Sequence, residues 1–156
     1  MKSVKFLPKM ILLAIVPIAF NACNKNETDL TYDISGNWKV SAFVNYETSE
    51  VITKTEDNTW IESNNGDITV SFMKNSFTGG IIYGVSVTNT FTGDFSIGQR
   101  GTIKISNILQ TMVGEPEWGR LFDSIDEAET FEVKNGQLVI YYNKGRNAIT
   151  FDRMTD

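Results

Sequence analysis

Four carboxylates, Asp123, Asp126, Glu127 and Glu129, are the densest group of side chains in this 156-residue chain that could do chemistry. A pair of them could serve glycoside hydrolysis, one as acid and one as nucleophile or base. A solvated helix face accounts for them more simply. Glu62, Asp67 and the asparagines between them offer oxygens to Ca²⁺. "ESNNGD" lacks the acidic spacing of an EF-hand loop, however, and reads as a turn, so no metal site is expected. Trp60, Tyr141 and Tyr142 could stack on sugars or peptides, and Trp38 opens the first long strand. The chain has no histidine and one cysteine, Cys23. That excludes Ser-His-Asp and Cys-His catalysis, His-ligated zinc or haem, an intramolecular disulfide and any CxxC site. Ser/Lys chemistry needs a buried lysine of lowered pKa, and no local motif suggests one. Gly79-Gly80, Thr92-Gly93-Asp94 and Gly98–Gly101 do not lead into a helix with the lysine of a phosphate-cradling loop. The expectation is a protein that is not an enzyme and carries no cofactor.

The bulk numbers narrow the partners. The formal charge is −5, and the part beyond the N-terminal lysines carries 11 basic against 19 acidic residues, or −8. Such a surface repels phosphate backbones and anionic headgroups, so neither nucleic acid nor a basic membrane-binding face is expected. With 41% apolar and 21% charged residues, the chain has the composition of one globular domain, expected to be a monomer.

Cys23 gains meaning from what precedes it. Lys2, Lys5 and Lys9 form a basic region, and "MILLAIVPIAF" (10–20) is an apolar run of eleven residues holding Pro17. A spanning helix needs roughly 20, so residues 1–22 read as a secretory signal. "FNAC" (20–23) resembles the bacterial lipoprotein box. Ala22 fits that pattern; Phe20 and Asn21 depart from it in the relaxed manner of Bacteroidetes-type envelope lipoproteins. The resemblance implies that the Cys23 thiol is diacylated and becomes the first mature residue. Two acyl chains, at about 0.8 kcal/mol per buried CH₂, hold a protein stably on a membrane. Residues 23–32 would then be the acylated cysteine and a polar tether, with 33–156 as the folded domain. Asn24 in place of an Asp favours the outer membrane, with the domain facing the periplasm or the surface.

The elements that must position these residues are mostly strands. "GNWKVSAFVN" (36–45) opens with Trp38 and Val40 on one face. Val51–Thr55 is a weak strand, and 63–67 is a turn whose Asn and Gly tolerate positive φ. Ile68, Val70 and Phe72 alternate as in a half-buried strand. Gly79-Gly80 is expected to break the next run, which resumes over 81–87. Gly93, flanked by Phe91 and Phe95, suggests a bulge. "GQRG" (98–101) turns the chain into 102–108. Trp118, Leu121, Phe122 and Ile125 then recur at i, i+3, i+4 and i+7, one stripe of a helix. Pro116 suits its first turn, Glu115 and Glu117 suit its positive end, and Gly119 weakens it. "TFEVKNGQLVIYYN" is a hairpin around Asn135-Gly136, and 148–154 supplies a last strand. These elements predict a mainly β fold: about eight antiparallel strands in a curled sheet or small barrel, with one inserted helix near 116–128.

Four segments in this order, "TNTFTGDF" (88–95), "TIKISNILQTMVGEP" (102–116), "EWGRLFDSI" (117–125) and "FEVKNGQLVIYYNKGRNAITFDR" (131–153), resemble the META (HslJ-like) domain of bacterial envelope lipoproteins. "ISGNWKV" (34–40) resembles that family's opening strand. The family often has cysteine where Thr88 and Glu115 stand here. The resemblance implies that these two positions face each other, and it implies a link to envelope stress or protein binding. "GNWK" also resembles the Gly-x-Trp of lipocalins, in which the Trp closes one end of a barrel. That resemblance implies a carrier of a small apolar ligand. An unidentified protein or a small apolar ligand is therefore the expected partner beyond the membrane, with Trp38, Trp60, Tyr141 and Tyr142 as candidate contacts.

Overall fold

The computed structural model describes residues 30–155. The signal segment and Cys23 lie outside them. Ten antiparallel strands make one sheet. They are β1 (Leu30–Thr31), β2 (Gly36–Asn45), β3 (Glu50–Ile52), β4 (Ile68–Ser76), β5 (Gly79–Ser86), β6 (Asn89–Ile97), β7 (Ile103–Gln110), β8 (Thr130–Lys134), β9 (Gln137–Tyr142) and β10 (Asn147–Arg153). Eight have five residues or more, the mainly β architecture that the alternation predicts. β1 and β3 are short additions, and β1 falls in the stretch read from sequence as tether. Their order across the sheet is β1-β8-β9-β10-β2-β4-β5-β6-β7, with β3 beside β2.

The sheet curls into a half-barrel until its two sides meet at one corner. There the Ile103 N–H donates to the Glu129 carbonyl at 2.9 Å, and Thr102 bridges Thr130. Two bulges help the curl, since an extra residue on one strand bends and twists the ladder. On β2, Val40 and Ala42 face Phe151 and Thr150, which leaves Ser41 as the extra residue. On β7, Ser106 faces Asp94 and Leu109 faces Thr92, so Asn107 and Ile108 together stand opposite Gly93. Asn107 takes a positive φ of 56° there, and the phase of β7 changes beyond it.

The inner face is filled by large side chains. Trp38, Trp118, Phe131, Phe151, Ile34, Ile68, Ile82, Leu138, Ile140 and Ile149 are wholly buried. Each such side chain contributes about 1.5–3 kcal/mol on burial. Phe43 meets Trp118 edge-on at 4.9 Å and Phe72 meets Phe95 edge-on at 5.3 Å, the geometry favoured by ring quadrupoles.

The expected helix forms as α1 (Glu117–Leu121), which tightens into a 3₁₀ segment over Phe122–Glu127. Its stripe points inward: Trp118, Phe122 and Ile125 are buried and Leu121 packs against the core. The segment lies along β7 beyond the corner, where the next strand of a closed barrel would be. Gly79-Gly80 does not break β5. Both residues sit in its ladder, where a side chain would strike the neighbouring strands: a Cβ on Gly80 would lie 2.0 Å from the Met73 carbonyl oxygen. Asn135 and Gly136 have φ of 53° and 78°, the two positive values of a type I′ turn.

Two glycines therefore report different costs. Gly80→Ala should destabilise the domain by about 3 kcal/mol or more, because backbone must move. Gly136→Ala meets nothing within 4 Å and should lose only about 1 kcal/mol for its φ. Urea midpoints of the two variants against the parent check the ranking.

Candidate functional site

An open groove of about 290 Å³ lies between β6, the far half of β7 and the 3₁₀ segment. Phe91, Ile108, Phe122 and Ile125 make its apolar wall; Gln110, Asp123 and Asp126 make its polar side. The Asn107 bulge brings Ile108 and Gln110 to this wall, since strict alternation from Ile103 and Ile105 would have presented residues 107 and 109 inward. The Phe91 and Phe122 rings stand 5.2 Å apart and tilted by 46°. Both residues are nearly buried. Removal from water pushes the Asp123 carboxyl above its ordinary value. A side-chain hydrogen bond with Gln110 opposes that rise, and the negative charges of Glu115 and Asp126 add to it.

Glu115 anchors the loop that leads into α1. Its Oε1 accepts from the Ser86 hydroxyl (2.8 Å), the Asn89 side-chain amide (2.9 Å) and the Asn89 and Thr88 backbone N–H groups (2.9 and 3.2 Å). Asn89, itself buried, also donates to the Val113 carbonyl and accepts from the Val113 N–H and the Thr111 hydroxyl. Loop 111–115 is thus stitched to the β5–β6 turn. Gly119 lets this happen: a Cβ there would lie 2.1 Å from Glu115 Oε2. The residue that sequence reads as a weakness in the helix makes room for the carboxylate.

The candidate aromatics have separate surroundings. Trp38 is wholly inside, donates its indole N–H to the Ile34 carbonyl at 2.9 Å, and lies under the Arg153 guanidinium, 4.2 Å from its ring. Trp60 is half exposed in the loop beside Gly114. Tyr141 faces outward, stacks near Tyr46 (6.3 Å, 27°) and donates to Glu132 at 2.9 Å. Burial first, then the Glu132 carboxylate, pushes its phenol well above the ordinary range. Tyr142 turns the other way and packs against the core near Phe43 and Leu121. Among the described residues, no three His, Cys, Asp or Glu side chains are grouped so as to hold a metal. Asp67 instead pairs with Lys54 and Lys39.

The fold and groove define a class: a curled antiparallel half-barrel with a helical segment in place of its missing side. In overall fold the chain is similar to the solved structure of a DUF4847 family protein from Bacteroides vulgatus ATCC 8482, determined at 1.00 Å resolution. The alignment has a TM-score of 0.55 at 15% identity and covers 78% of this chain and 94% of that one. At that identity the likeness concerns the fold alone. No family model matches the chain, and no curated relative does.

The groove and the Glu115 hub each generate a stability prediction. Glu115→Ala strips one acceptor from four donors and should cost about 2–4 kcal/mol in denaturant unfolding. The Asp123 proton is held more tightly in the folded than in the unfolded state, so stability falls as pH rises from 3.8 through the raised value. Asp123→Asn should therefore raise the melting temperature at pH 7, by less than about 1 kcal/mol equivalent for so exposed a group, and the gain should vanish below pH 3.8. Melting curves of both proteins from pH 3 to 8 check the sign.

Proposed function

We propose that this chain is a non-enzymatic, lipid-anchored envelope domain that binds a partner on its outer surface. One observation carries the reading: the inside of the half-barrel is occupied by its own side chains, from Trp38 and Phe151 at one end to Trp118 at the other. Concave space among the described residues lies outside this core, and the apolar-walled groove is part of it. Its place suits a tethered module. β1 pairs with Val133 and Lys134, so the described chain begins at the turn end of β8, on the side of the Thr130 corner away from the groove. From Cys23 to Leu30 the chain can reach at most about 25 Å. Ile108 and Gln110 lie five and seven residues along β7 from the corner at Ile103, roughly 15–23 Å up the strand. Around the same far end Trp60, Ile61, Leu109, Met112 and Val113 are exposed.

The META-like reading has support in one contact. The Thr88 N–H donates to Glu115 at 3.2 Å, so the two positions where that family often carries cysteine adjoin. Placement at the outer membrane rests on the sequence around Cys23. A lipocalin-like carrier is the second reading, favoured by Trp38 closing one end beneath Arg153. The filled interior weighs against it.

Intact-mass analysis of the mature protein should find diacylated Cys23 as the first residue; an unmodified N-terminus elsewhere overturns the anchor. Organic extraction of the same purified protein should release no stoichiometric apolar ligand. Release of one would replace the module with the carrier.

A further inference from the structure

We propose that the groove between β7 and the 3₁₀ segment is a binding site for a small organic cation, an ammonium group carried on an apolar body. The inference deepens the reading of the chain as a binding module and rests on it, but it does not depend on the lipid anchor.

Two features meet in the groove and ask for different halves of one ligand. Phe91, Ile108, Phe122 and Ile125 give an apolar wall, of which Phe91 and Phe122 form a tilted aromatic pair at 5.2 Å. Asp123 and Asp126 line the same space. A neutral apolar ligand would use the wall and leave the carboxylates facing it. A hydrated metal ion would use the carboxylates and meet a wall with no further side-chain oxygen to offer but that of Gln110. An ammonium on an apolar body satisfies both, by ion pairing with the carboxylates and by packing its apolar part against the wall.

The surrounding charge has the same sense. Glu115 lies close enough to act on Asp123. The nearest fixed cation on the helix, Arg120, is turned to the Glu115 carbonyl, to which it donates at 2.9 Å. The volume, about 290 Å³, is at the small end of ligand sites and suits one ring or a short chain with one charge.

Benzylamine, benzyl alcohol and benzoate share a shape and differ in charge, so they separate the alternatives when titrated into the ¹⁵N/¹³C-labelled full chain. Benzylamine should shift the resonances of Phe91, Ile108, Phe122, Asp123 and Ile125 saturably. It should bind roughly tenfold tighter than the alcohol, and benzoate should not bind. Asp123→Asn with Asp126→Asn should weaken benzylamine about tenfold and leave the alcohol unchanged; these side chains are exposed, so the fold should survive. Equal binding of amine and alcohol at the groove, or an amine affinity untouched by the double variant, overturns the cation site. So does the absence of saturable shifts there. If both compounds shift Trp38, Ile82 and Phe151 instead, the interior takes the ligand and the binding-module reading fails with it.

Discussion

The backbone hydrogen bond from Ile103 to Glu129 is the contact on which the rest of the molecule depends. With the Thr102–Thr130 bridge beside it, it pins β7, the last strand of the curl, to the chain entering β8. A long antiparallel sheet left open exposes two edges with unpaired backbone groups, a hazard that closure removes. Here closure is made by a corner and a plug. The corner fixes how far the sheet curls, and therefore how wide the remaining gap is beside the upper half of β7. The segment 117–127 fits that gap because Trp118, Phe122 and Ile125 project from it into the core.

Plugging a gap with a helical segment demands that the chain on both sides be held. On the C-terminal side the Glu129–Ile103 bond does this. On the N-terminal side the work falls to Glu115 and Asn89. A carboxylate that accepts four hydrogen bonds, two of them from backbone N–H groups, ties three stretches of chain without a covalent link. Such charge-assisted bonds are roughly twice as strong as neutral ones. The hub also explains the absence of a side chain at residue 119, where a Cβ would contact the carboxylate and the Ser86 carbonyl.

The strands were legible because their pattern is local. Ile68, Val70 and Phe72, or Phe131 and Val133, alternate as a one-sided sheet requires, and Asn135-Gly136 specifies its own turn. The helical stripe was legible for the same reason. Gly79-Gly80 was misread because the cause of its composition is not local: the two glycines admit the Met73 and Phe95 carbonyls of neighbouring strands. Glu115 was read as a charge favouring a helix dipole, since its partners lie 26 to 29 residues earlier. The groove was illegible for a further reason. Ile108 and Gln110 reach it only because a bulge at Asn107 changes the phase of β7; Gly93 marks that place from the neighbouring strand, but nothing in "ISNILQ" says that β7 carries the extra residue.

The groove is a consequence of the way the barrel is completed. A strand added beside β7 would lie about 4.8 Å away and leave no space between backbones. A helical segment is a thicker cylinder that touches through side chains, so its contact with a strand is uneven. Its apolar stripe faces inward, and the residues at the margin of that stripe face the strand's edge. Asp123 and Asp126 flank Phe122 and Ile125 in sequence, so the carboxylates belonging to the solvated face of the helix border the crevice that the apolar stripe floors. An apolar wall and an acidic rim in one groove thus follow from placing an amphipathic helix where a strand would otherwise go. The chemistry that such a groove can recognise was set by the packing problem before any ligand entered it.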